Sequence, residues 1–177
     1  MARRGRWGLK WLGDMPLAAD KPQVTADALG GYFAVLASEP NARFYNTLRE
    51  SGAGSLSIRW TWFGMVMFAV DFAVQGAGSC QNTAAHEVEM GLIQAIKACG
   101  VDTEPDLSKI EQRSSTYGQL LSRMAGSMEI GQTLADHAGV VITNPTVLFH
   151  LGRELLNLVI DVKAKFALFE IRLQVRT

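Results

Sequence analysis

Apolar positions along this chain recur mostly at spacings of three and four, the period at which one face of an α-helix repeats. They are densest between Gly52 and Gly78, where Trp60, Trp62, Phe63, Met65, Val66, Met67, Phe68, Val70, Phe72 and Val74 crowd together with no lysine or arginine between Arg59 and Lys97. Burial of such surface is worth about 25 cal/mol per Å², so the run belongs inside the molecule. Within it Thr61, Gly64, Phe68, Asp71, Gln75 and Gly78 fall on one stripe. Glycines and polar groups on one side of an otherwise apolar rod describe a buried helix, here from about Ile58 to Gln75. A neighbouring helix would cross over the glycines, with Asp71 held by a partner across that contact. The start of the run is ambiguous, because Leu56, Ile58, Trp60 and Trp62 alternate with Ser55, Ser57, Arg59 and Thr61 as in a strand. The helix is preferred, since the alternation stops at Phe63 and the stripe continues.

Helical spacing extends over most of the chain. Thr25 is placed to cap a helix carrying Leu29, Tyr32, Phe33, Val35 and Leu36, which Pro40 ends and which Gly30 and Gly31 weaken. A shorter helix follows from Asn41 to Glu50, with Phe44 and Leu48 on one face. Residues 81–99 form the most regular helical pattern, through Ala85, Val88, Leu92, Ala95 and Ile96 to Gly100. Pro105 opens another, expected to reach about Ala125, with Leu107, Ile110, Tyr117, Leu120, Leu121 and Met124 as its apolar face. Met128–His137 is short and helical, and Val140–Thr143 reads as extended. The last helix starts at Pro145, capped by Thr143 or Asn144, and carries Leu148, Leu151, Leu155, Leu158, Val162, Phe166, Phe169 and Leu173, with Asp161 and Lys165 as an outer pair. Residues 170–176 alternate, so a short terminal strand is an alternative there.

These elements imply an all-α fold: a single-domain helical bundle over residues 22–177 around a buried central helix, with one or two very short strands at most. Residues 1–21 form a separate arm in which Arg3, Arg4, Arg6 and Lys10 interleave with Trp7 and Trp11. The alternative fold is α/β. If Met65–Val74 were a strand, the Gly76–Cys80 turn and the following helix would make a nucleotide-binding βα unit. The complete GxGxxG and GK[ST] patterns are missing, so a lone GxG is all that supports it.

Composition narrows the function classes. Hydrophobic residues make up 48% and charged residues 19% of the 177, as in a globular domain, and a mean hydropathy of +0.09 leans toward a buried oligomer interface. Seventeen basic residues balance seventeen acidic ones, which gives no bulk reason to expect nucleic acid as partner. The distribution is uneven: both ends are basic, whereas residues 14–162 hold nine basic against sixteen acidic side chains. Within the central run the stretch from Trp60 to Val70 is free of ionisable groups, too short for a membrane span. Membrane contact would fall to the arm, whose apolar run is too interrupted for a secretory signal. Cys80 and Cys99 sit at opposite ends of one expected helix, about 27 Å apart, beyond disulfide reach. Reduced thiols and a cytoplasmic setting follow as the default.

Candidate chemistry is sparse. His86 with Glu89, and His150 with Glu154, each lie one turn apart on different helices, and two such pairs facing one another could hold a transition metal. Asp71, His86 and His150 are the corresponding ligand-binding candidates, for a metal, haem or small apolar ligand. Neither the paired ExxH of a diiron site nor HExxH is present. Ser79 and Cys80 do not form the GxSxG elbow, and His137 falls at a helix C-terminus, where the helix dipole favours its protonated form. No catalytic residue is assigned and the cofactor is unknown. The sequence therefore predicts a non-catalytic protein-association module, a homo-oligomer first. A ligand-binding bundle is the alternative, and an α/β enzyme built on the Gly76–Cys80 turn a second.

Overall fold

The computed structural model describes residues 21–76, 86–88, 90–94 and 107–172. Helix accounts for 80% of it, in a single-domain bundle, which rules out the α/β alternative. The arm of residues 1–20, the turn at 77–80 with Cys80, Glu89, Cys99, the connector up to Asp106 and any strand beyond Arg172 lie outside the described residues.

The chain enters as a short strand, β1 (Gln23–Thr25), and turns directly into α1 (Ala26–Ser38). The Thr25 side chain accepts a hydrogen bond from the Ala28 amide at 3.3 Å, the cap expected of it. Pro40 disfavours helical backbone at Glu39, and α1 stops one residue before that. Asn41 accepts from the Arg43 amide at 2.9 Å to start α2 (Ala42–Glu50), which buries Phe44 and Leu48.

Helix α3 (Ser55–Gly76) is the central rod, and every residue from Thr61 to Val70 is buried. The strand reading of residues 55–62 fails, because the Ile58 amide already donates to Gly54 O at 3.0 Å in the helical pattern. The strand reading of Met65–Val74 fails with it. Trp62 is buried against Phe44, and its Nε1 donates to Leu36 O at 2.8 Å, which fixes α1, α2 and α3 together. Residues 86–88 and 90–94 are helical and bury Val88 and Leu92. They lie so close to α1 that a Cβ on Gly30 would stand 2.8 Å from Val88 O. Gly30 thus has a packing role that its cost to helix propensity concealed.

The next helix, α4 (Leu107–Ser122), runs beside α3 in the same sense, since Gly64 meets Arg113 and Phe68 meets Gly118. It ends before Ala125, so Met124 is exposed instead of joining the apolar face. Helices α5 (Ser127–Ala138) and α6 (Pro145–Leu168) form an antiparallel hairpin. Gly139, with φ of 76°, closes α5 in the left-handed region, and Asn144 caps α6 by accepting from the Thr146 amide at 3.0 Å. Val140–Thr143 belongs to neither a helix nor a strand, and the Val140 amide donates back to Ala135 O at 3.0 Å. A Cβ on Gly131 would collide with the Leu148 carbonyl, and one on Gly152 with that of Ser127.

After α6 the chain forms β2 (Glu170–Arg172), which pairs in parallel with β1, Val24 opposite Ile171. The helix therefore ends at Leu168, before Phe169. The outer pair expected of Asp161 and Lys165 is replaced by a cation–π contact, with Lys165 Nζ 5.9 Å from the centre of the Tyr32 ring. No described helix is long and apolar enough to cross a membrane.

Candidate functional site

Helices α3, α4 and α6 do not close over one another along their whole length. Apart from Leu121, the side of α4 that lines the gap is built from short or polar residues, among them Ser114, Ser115, Gly118 and Ser122, which do not fill it. What remains is an open cleft of about 1040 Å³. Met67, Phe68 and Phe72 of α3, Leu121 of α4 and Leu156, Val159 and Ile160 of α6 supply its apolar wall. Gln75, Gln119 and the serines supply neutral polar groups, and among the described residues Asp71 and Glu111 are the ionisable groups on the lining. Asp71 Oδ2 accepts from Gln75 Nε2 at 2.9 Å, so its partner lies one turn along its own helix and not across the contact as the stripe suggested. At the edge, Phe72 is 38% exposed, and Lys163 Nζ lies 5.6 Å from its ring centre. The Phe68 ring is 5.8 Å from that of Phe72 at 42°.

A buried polar cluster sets how α4 sits on α3, and hence how wide the cleft is. Gly64 presents no side chain, so the Arg113 Cβ can come within 3.0 Å of where a Cβ would stand, with the Tyr117 ring beside it. The Arg113 guanidinium donates to the His137 carbonyl at 2.8 Å through Nη2 and to Thr61 Oγ1 at 3.4 Å through Nη1. Thr61, fully buried, in turn donates to Ser57 O at 2.8 Å. One arginine therefore joins α3, α4 and the C-terminal turn of α5, where a free carbonyl needs a donor. Tyr117 is fully buried, and its hydroxyl shares a hydrogen bond with His137 Nδ1 at 2.9 Å. The tyrosine ring also meets Phe68 edge-on at 6.1 Å, which connects the cluster to the cleft wall.

Electrostatics in the cluster follow from burial. Burial raises the Tyr117 pKa and lowers that of Arg113, each opposed by the charge interaction between the two groups. Desolvation, helped by the Arg113 charge and opposed by Asp136, lowers the His137 pKa to about 4. His137 is thus a neutral imidazole at neutral pH, which corrects the protonated form expected from the helix dipole alone. The dipole is outweighed by burial and an adjacent cation.

Of the residues singled out from sequence, Asp71 lines the cleft. His86 is exposed. His150 is exposed on α6 with its ring edge-on to Phe149, and Glu154 accepts from Asn41 Nδ2 at 3.3 Å, a link between α2 and α6. Among the described residues no three His, Cys, Asp or Glu side chains converge as a metal site would require. Glu111, Gly118 and the joining of Arg113 and Tyr117 to His137 were not foreseen from sequence. The available signal was a tyrosine and an arginine four apart on the buried side of one helix, since both must find partners there. Compared with models of known protein families, with characterised proteins and with solved structures, the chain matches none.

Proposed function

We propose that this chain is a non-catalytic helical binding module that receives an apolar ligand in the cleft between α3, α4 and α6. The carrying observation is the cleft itself, about 1040 Å³ with seven large apolar side chains on its wall. Ligand pockets typically measure about 300–1,000 Å³ and combine an apolar lining with a few polar groups. Leaving such surface open costs burial that a tighter packing of the same helices would recover. The proposed setting is the cytoplasm, on sequence grounds.

A neutral solvatochromic dye tests this reading. It should bind saturably with one site per chain, and Gly118→Leu, which projects a side chain into the cleft, should abolish that binding while the fold melts normally. Unsaturable binding, or binding indifferent to Gly118→Leu, would overturn it.

A second reading, self-association, draws on a different observation. Between α1 and α6 runs a groove of about 310 Å³ lined by Tyr32, Leu36, Leu158 and Leu168, and the neighbouring Val35 is 63% exposed. A second copy covering this face would bury it. Sedimentation should then show a dimer at micromolar concentration that Val35→Glu dissociates, and a monomer for the unaltered chain would dismiss the idea.

A further inference from the structure

The cleft also carries information about the charge of what it binds, and the following rests on its being a ligand site. We infer that its ligand is a cationic amphiphile, with an ammonium head against Asp71 and Phe72 and an apolar tail along Met67 and Ile160. Three observations carry this. Among the described residues the ionisable groups on the lining are both carboxylates, Asp71 and Glu111, so an anionic head would meet like charge there while a cationic one would be attracted. Phe72 offers a partly exposed ring next in sequence to Asp71, with the Phe68 ring beside it, and aromatic faces with a carboxylate are the elements of an ammonium site. A cation already occupies that position: Lys163 Nζ, from the edge of the cleft, lies 5.6 Å from the Phe72 ring centre. The lysine shows that a positive charge is accommodated there. It is also the group that an incoming head displaces into solvent.

Three probes of equal chain length separate the possibilities: decyltrimethylammonium, decanol and decanoate, each titrated into the full chain by calorimetry below its micelle concentration and at low ionic strength. The ammonium should bind about tenfold more tightly than decanoate, with decanol between them. Asp71→Asn should weaken the ammonium several-fold and leave decanol unchanged. Lys163→Met, by removing the resident competitor, should strengthen the ammonium. Circular dichroism and melting temperature of each variant identify any that has lost its fold, and Glu111→Gln gives a second, independent removal of negative charge. Equal affinities for the two charged probes, preference for decanoate, or an ammonium affinity indifferent to both Asp71→Asn and Glu111→Gln would overturn the inference while decanol binding left the cleft reading intact. Failure of all three probes to bind would overturn both. Ammonium binding that persists in Gly118→Leu would place the site elsewhere and overturn the inference as well.

Discussion

Helix α6 has two sides that were built in opposite ways. Toward α5 it presents Gly152 and the Leu148 backbone, and the two helices come together with no room for a methyl group. Toward α3 and α4 it presents Leu156, Val159 and Ile160, and the helices stand apart around about 1040 Å³. The same rod is thus anchored on one side and open on the other. Close backbone packing forms a stiff base, and an opening held against that base keeps its shape without a ligand to prop it. The Arg113–Tyr117–His137 cluster does the same for α4, so two of the three walls of the cleft have their own fixings.

The contrast is sharpest in glycine substitutions. Gly152→Ala and Gly131→Ala should each cost about 4 kcal/mol or more, because the new methyl meets backbone carbonyls that cannot yield. Urea titration should show a much earlier midpoint or no folded baseline. Wild-type-like midpoints would mean that the two helices separate readily, and that the base is not stiff.

Loss of the Tyr117 hydroxyl comes next. Tyr117→Phe keeps the ring against Phe68 but removes the partner of His137 Nδ1, at a cost of about 1–2 kcal/mol. The cleft should loosen with it, seen as weaker dye binding at a temperature where the variant is still folded.

Acid should act through the same cluster. The His137 pKa lies near 4 in the fold, below its ordinary value of 6.5. The unfolded chain therefore takes up a proton there before the native one does. The stability due to a neutral His137 is complete above pH 6.5, declines as pH falls from 6.5 toward 4, and changes no further below that. The ring keeps some access to solvent, so the loss should be on the order of 1–2 kcal/mol. Melting temperatures across this range should fall for the wild type and fall less for His137→Gln.

The smallest effect on stability belongs to the open side. Gly118→Leu should leave the melting midpoint unchanged or raise it, because leucine suits a helix better than glycine by about 0.5–1 kcal/mol. The same substitution is the one expected to eliminate ligand binding. Opposite outcomes for two glycines on facing helices, Gly152 and Gly118, would establish which side bears structure and which bears function.

Much of this architecture was legible from residue spacing, for reasons that can be located. Thr25 and Asn144 were readable as caps because capping depends on the few residues around them. The stripe of Thr61, Gly64 and Phe68 correctly announced a close neighbour, since helical period and small side chains together leave few other uses for it. The beginning of α3 was harder. Leu56 is exposed and Trp60 partly so, while Ile58 and Trp62 are buried, so the apparent strand alternation arises from a helix start that is only half covered. Tertiary facts were illegible for a different reason. His137 meets Tyr117 from twenty residues away and owes its neutral state to burial first and to Arg113 second, neither of which local spacing encodes. His150 and Glu154 had the spacing of a ligand pair, but spacing says nothing of direction, and α6 turns His150 to solvent and Glu154 to Asn41. Asp71 was found because a carboxylate in so apolar a run demands an explanation.

The small parallel ladder has a consequence for how the molecule comes together. Gln23 and Glu170 are 147 positions apart. Bringing such distant segments into register costs about 4 kcal/mol of loop entropy, more than three short rungs return on their own. The ladder must therefore zip after the helices have already delivered its halves, as a latch and not a nucleus.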